Sequence, residues 1–123
     1  MARDDQEAPS ALEIGQVLIR ADRKVADSWV VHVSGELDAS TAEVLVEVAS
    51  ELTSDGTALR ISAAGLAFID SAGLRAFLMI HDRARRHGAA VTIVDPSQAT
   101  RRLLELVGLA EHFIEGRIPT VRS

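Results

Sequence analysis

The hydroxyl with the best claim to chemistry in this chain is that of Ser71, in the segment GLAFIDSAGL (residues 65–74). An apolar run feeds a short loop, and the serine stands where a helix should begin. The N–H groups of a helix's first turn lack intrahelical acceptors and carry partial positive charge, so an anion placed there is stabilised. Two readings follow. Ser71 is a helix cap, or its hydroxyl is presented for modification or contact. Asp70 has an equally plain reading, as a cap or as a first-turn acid complementing the helix dipole. Gly73 removes a side chain from the first turn, where a partner backbone or a phosphate could then come close.

Nucleophilic catalysis is the competing use of Ser71. Asp95 and His112 follow it in the chain order of α/β-hydrolases. The strained elbow of those enzymes needs Gly-x-Ser-x-Gly, however, and the first glycine position is Ile69. A domain of this size also has little room for oxyanion and substrate pockets. The four histidines, His32, His81, His87 and His112, show no metal-binding spacing, and there is no Gly-x-x-x-x-Gly-Lys loop for a nucleotide. No cofactor is expected.

The elements that must position Ser71 can be read from periodicity. WVVHVSGELD (29–38) alternates, with Trp29, Val31 and Val33 on one face and Val30, His32 and Ser34 on the other, as a half-buried strand does. A less regular strand is expected over 14–21. Ser40-Thr41-Ala42-Glu43 matches a capping box, and Leu45, Val48, Ala49 and Leu52 continue at helical spacing. TALRISA (57–63) reads as a strand with Leu59, Ile61 and Ala63 inward, followed by a turn at Gly65. A second helix runs from the Ser71 region to about His87, with Leu74, Phe77, Leu78 and Ala84 as its apolar stripe and Gly88 as its stop. Residues 90–94 form a strand. Ser97 caps a third helix carrying Leu103, Leu104, Leu106 and Val107. Residues 112–114 are a last short strand or turn.

Strands alternating with helices imply parallel crossovers. Doubly covered parallel strands read as unbroken apolar runs, whereas each strand here keeps polar residues on one face. The expected architecture is therefore α/β, a mixed four- to five-stranded sheet with helices mainly on one side.

Length and composition narrow the function further. At 123 residues the chain has room for one core. Residues 1–11 read as a polar tail, 12–116 as the domain and 117–123 as a second tail. A net charge of −5 and 3% aromatics argue against a nucleic-acid surface. The basic run Arg83, Arg85, Arg86 and His87 ends the second helix, where cations complement the dipole. The absence of cysteine fits a reducing compartment. No signal peptide or membrane span is visible, so a cytoplasmic protein is expected.

VSGELDASTAEVL (33–45), FIDSAGLRAF (68–77) and VTIVDPSQATRRLLELVGL (91–109) together resemble the STAS family of bacterial anti-sigma-factor antagonists. The likeness covers about residues 12–115. It implies a STAS fold and a protein without catalysis of its own, a monomer or weak dimer. Such a protein binds an anti-sigma factor that is also a serine kinase, releases it when phosphorylated, and is restored by a phosphatase. By this resemblance Ser71 is the phosphorylated residue. Asp70, Ser71, Gly73, Glu36, Asp38 and Thr41 are the expected partner-binding set. One position departs from the pattern: many members carry an acid where Ser62 stands. The resemblance leaves open a scaffold module that does not switch and, less favoured for want of a membrane segment, a transporter's STAS tail.

Overall fold

The computed structural model describes residues 10–24 and 28–114. Most of the two expected tails lies outside these residues, though Ser10 and Ala11 already belong to the first strand. The elements are β1 (Ser10–Ile14), β2 (Val17–Lys24), β3 (Ser28–Leu37), α1 (Ala42–Leu52), β4 (Ala58–Ile69), α2 (Ser71–Arg86), β5 (Val91–Val94), α3 (Gln98–Leu106) and α4 (Ala110–Phe113). The sheet order is β1-β2-β3-β4-β5. The first two pairings are antiparallel and the last two parallel, which is the mixed sheet expected.

Two local features differ from the sequence reading. The strand expected over 14–21 contains a hairpin turn, with Ile14 pairing Val17 across Gly15 and Gln16. A glycine-led two-residue loop matches strand twist, and the poor alternation of that window is what two strands and a turn produce. The turn expected at Gly65 is absent. Instead β4 runs on, and its pairing with β3 shifts between His32 and Ser34 and again between Gly35 and Glu36. Each shift inserts an extra β4 residue, which re-aims the side chains beyond it. Leu66 is buried as a result, while Phe68 is exposed on the other face beside Glu36.

Alternation assigns the core. Val17, Ile19 and Ala21, Val31 and Val33, Leu59, Ile61 and Ala63, and Val91 and Ile93 share one sheet face. They pack with Leu45, Val46 and Ala49 of α1, Ala76, Phe77, Ile80 and Ala84 of α2, Leu104 of α3, and Ala110 and Phe113 of α4. The helices thus cover one side. Leu78, expected in the α2 stripe, is instead 39% exposed, and Leu106, expected in the third helix's stripe, is 80% exposed. Both sit one helical step outside the buried face. Ile114, just after α4, makes a single bridge to Ile93.

Candidate functional site

The site lies at the C-terminal ends of two parallel strands. The β3–β4 register ends with Leu37 opposite Ile69, and the amide of Asp70 donates to the carbonyl of Leu37 at 3.3 Å. The loop after β3, opening at Asp38, is therefore held beside the start of α2.

Asp70, not Ser71, caps α2. Its Oδ1 accepts from the amides of Ala72 (2.9 Å) and Gly73 (3.2 Å), and its carbonyl accepts from Leu74 (3.0 Å). The helix needs no second cap. Ser71 is exposed at the first helical position, and among the described residues no side-chain hydrogen bond engages its hydroxyl. The cap reading of this segment is thus right for Asp70 and leaves the Ser71 oxygen available.

Gly73 has an interior purpose. It is buried, and a Cβ there would stand 2.7 Å from Ile69 Cγ1 and 2.8 Å from the Leu37 carbonyl. The missing side chain lets α2 sit tightly on the ends of β3 and β4. It does not open the first turn to an outside group.

The loop 36–41 is braced from within. Thr41 Oγ1 donates to the carbonyl of Glu36 (2.9 Å) and accepts the amide of Asp38 (3.0 Å). Thr41 is 1% exposed, so it shapes the loop and has no surface to offer a partner. The expected capping box does not form. The carbonyl of Asp38 accepts the amides of Thr41 and Ala42, and the Ser40 hydroxyl turns to Asp38 Oδ1 at 2.7 Å. That hydroxyl bond, with further bonds from the Ser40 amide and Thr41 and against some opposing desolvation, holds the Asp38 carboxyl below its ordinary value. Asp38 is a fixed negative charge here. Glu36 is tied to the β1–β2 hairpin through its amide, which donates to Gln16 O at 2.8 Å. Gly35, at φ 96°, permits this approach, since a Cβ would meet Gln16 O at 2.0 Å.

Glu36, Asp38, Asp70 and Ser71 therefore belong to one end of the sheet, at and just beyond the C-terminal ends of β3 and β4. Sequence reasoning passed over Arg75. It is exposed one turn beyond Ser71 and lines a groove of about 360 Å³ between α1 and α2 with Glu43, Glu47, Ala72, Met79 and Arg83. The i, i+4 spacing from Ser71 was the available signal.

The competing constellations are placed elsewhere. His112 Nε2 stands 3.3 Å from His81 Nε2, and His81 is ten residues along α2 from Ser71, about 15 Å at helical rise. No Ser–His–Asp arrangement can form around Ser71. Arg86 pairs with Asp82 at 2.8 Å, and Arg83 reaches Ser50 Oγ at 3.3 Å, the surface and dipole roles expected of the basic run. Ser62 is buried in β4 opposite His32. Among the described residues no group of three or more His, Asp or Glu side chains could hold a metal ion, and no helix is long and apolar enough to cross a membrane.

The fold and the strand-end loop pair define a class of protein, and comparison with known proteins agrees. A family model described as Mlab, STAS domain, matches residues 20–116, and the chain belongs to the STAS domain family. Its relatives place it with the anti-sigma-factor antagonists. It is 30% identical over 81 residues, 66% of this chain and 74% of the other, to an anti-sigma-B factor antagonist of Bacillus subtilis (strain 168). The solved anti-sigma factor antagonist from Mycobacterium paratuberculosis is 26% identical, with a TM-score of 0.66 over 87% of this chain and 84% of that one. SpoIIAA in its unphosphorylated form shares the fold at 19% identity, with a TM-score of 0.67 over 78% of this chain and 85% of that one.

Proposed function

We propose that this chain is a cytoplasmic anti-sigma-factor antagonist whose hold on an anti-sigma factor with serine-kinase activity is set by phosphorylation of Ser71, with a phosphatase restoring the binding form. The observation that carries this reading is the unused, exposed hydroxyl of Ser71 beside a helix already capped by Asp70. If Ser71 were present only as a cap, its oxygen would be engaged by the first turn. The rival scaffold reading gives Ser71 no role beyond that of a first-turn residue, and stable high-order assembly without phosphate acceptance would favour it. The Bacillus relative, named as an antagonist of an anti-sigma factor, supplies the partner class.

The switch has an electrostatic basis. Phosphate adds nearly two negative charges at neutral pH. At Ser71 it joins the adjacent Asp70, at the same end of the sheet as Asp38 and Glu36. In solution these charges are hydrated and screened. Under a bound partner they are desolvated together, and a penalty of ~2.7 kcal/mol weakens binding about a hundredfold. No refolding of the domain is required. The protein itself performs no catalysis.

The test is a capture experiment from the cytosol of the source organism, with wild type and Ser71→Asp as parallel baits read by mass spectrometry. A kinase-like anti-sigma factor held by wild type and lost by Ser71→Asp supports the reading. Equal capture by both baits contradicts it.

A further inference from the structure

We infer that Arg75 is the cation that receives the Ser71 phosphate, so that phosphorylation also withdraws a positive charge from the docking surface. This rests on Ser71 being the modified residue, as proposed above.

A phosphate at a helix start ordinarily takes the first-turn amides. Here three of them are engaged: Asp70 holds the amides of Ala72 and Gly73 through its carboxylate and that of Leu74 through its carbonyl, which leaves the Ser71 amide. Beyond that one amide, the phosphate needs a side-chain donor. Arg75 lies one turn further on, at the i, i+4 spacing that puts two side chains on one helix face with Cβ atoms about 5–6 Å apart. It is exposed, and among the described residues it makes no ion pair, although Glu43 and Glu47 share its groove. Its forked guanidinium suits a phosphate in two-pronged contact better than a point charge does. Unphosphorylated, the same guanidinium is available to an acidic group of the partner. Phosphorylation therefore changes the surface twice, adding a dianion and engaging a cation one turn away. Arg75 is a positioning residue for the switch.

The experiment uses full-length protein with phosphoserine installed at position 71 during translation, so no cognate kinase is needed. The second phosphate pKa is read by phosphorus NMR in wild type, Arg75→Gln and Arg85→Gln. Arg85 is exposed at the far end of α2 and controls for loss of one positive charge. Pairing predicts a phosphate pKa lower in wild type than in Arg75→Gln by about 0.3 unit, with Arg85→Gln within about 0.1 unit of wild type because the charge is screened over that distance. Equal values in wild type and Arg75→Gln, or equal shifts in both variants, overturn the assignment. Either result leaves the switch itself standing, whereas a cognate kinase that ignores Ser71 would remove the switch and leave this titration intact.

Discussion

The amide of Asp70 donates to the carbonyl of Leu37 across the last rung of the parallel β3–β4 ladder, at 3.3 Å. That one bond joins the two loops that build the site. It follows from the two β4 bulges, which bring Ile69 opposite Leu37 and so deliver Asp38 and Asp70 to neighbouring strand ends.

Asp70 contributes to stability through its oxygen more than its charge. Asp70→Ala should lower the unfolding free energy by about 1 kcal/mol, the usual effect of losing a cap. Asp70→Asn should stay within a few tenths of a kcal/mol of wild type, because asparagine caps equally well. Urea unfolding of the three proteins decides it. An Asn variant as unstable as the Ala variant would show that the carboxylate acts by charge.

Gly73→Ala sets two effects against each other. Helix propensity favours alanine by roughly 1 kcal/mol. The new methyl would press on the Leu37 carbonyl and Ile69, both under 3 Å away, and overpacking of this kind costs about 1–3 kcal/mol. One of the two contacts is backbone, so relief requires α2 to move. A net loss of about 1 kcal/mol in urea unfolding is expected. A stabilised variant would mean that the helix start is loosely seated.

His81 makes stability depend on pH. Its Nδ1 is buried without a partner among the described residues, and its Nε2 stands 3.3 Å from His112 Nε2. Burial first, then the His112 and Arg85 charges, lower its pKa from the ordinary 6.5, with Asp82 opposing. The folded state therefore binds this proton less readily than the unfolded state. Stability is level above 6.5 and falls as pH drops from there through the lowered value. Urea midpoints measured between about pH 7 and 5 should decline more steeply for wild type than for His81→Phe. Parallel declines would exclude His81 as the source.

Much of this was legible in the sequence because alternation in β3, in β4 up to the first bulge and in β5 is regular, and the polar residues interrupting each strand marked a one-sided sheet. The placement of Ser71 at a helix start following a strand was legible for the same reason. Three things were not. The hairpin at Gly15 was hidden inside an apolar window. The β4 bulges, through which Gly65 stays in the strand, arise from pairing with β3 and leave no local mark. Roles inside the site were also concealed: Thr41 and Gly73 stand in a surface motif, yet both are buried, because the motif's loop is braced from within. Capping by Asp70 rather than Ser71 is a difference of one residue, finer than the resolution of any periodicity argument.

The central claim is that the Ser71 phosphate controls partner binding. The most direct measurement is calorimetric titration of the captured anti-sigma factor with the unmodified protein and with protein carrying phosphoserine at position 71. The expected result is a Kd about a hundredfold weaker for the phosphorylated form, or ~2.7 kcal/mol. Equal affinity of the two forms would contradict the switch and return Ser71 to an ordinary first-turn residue.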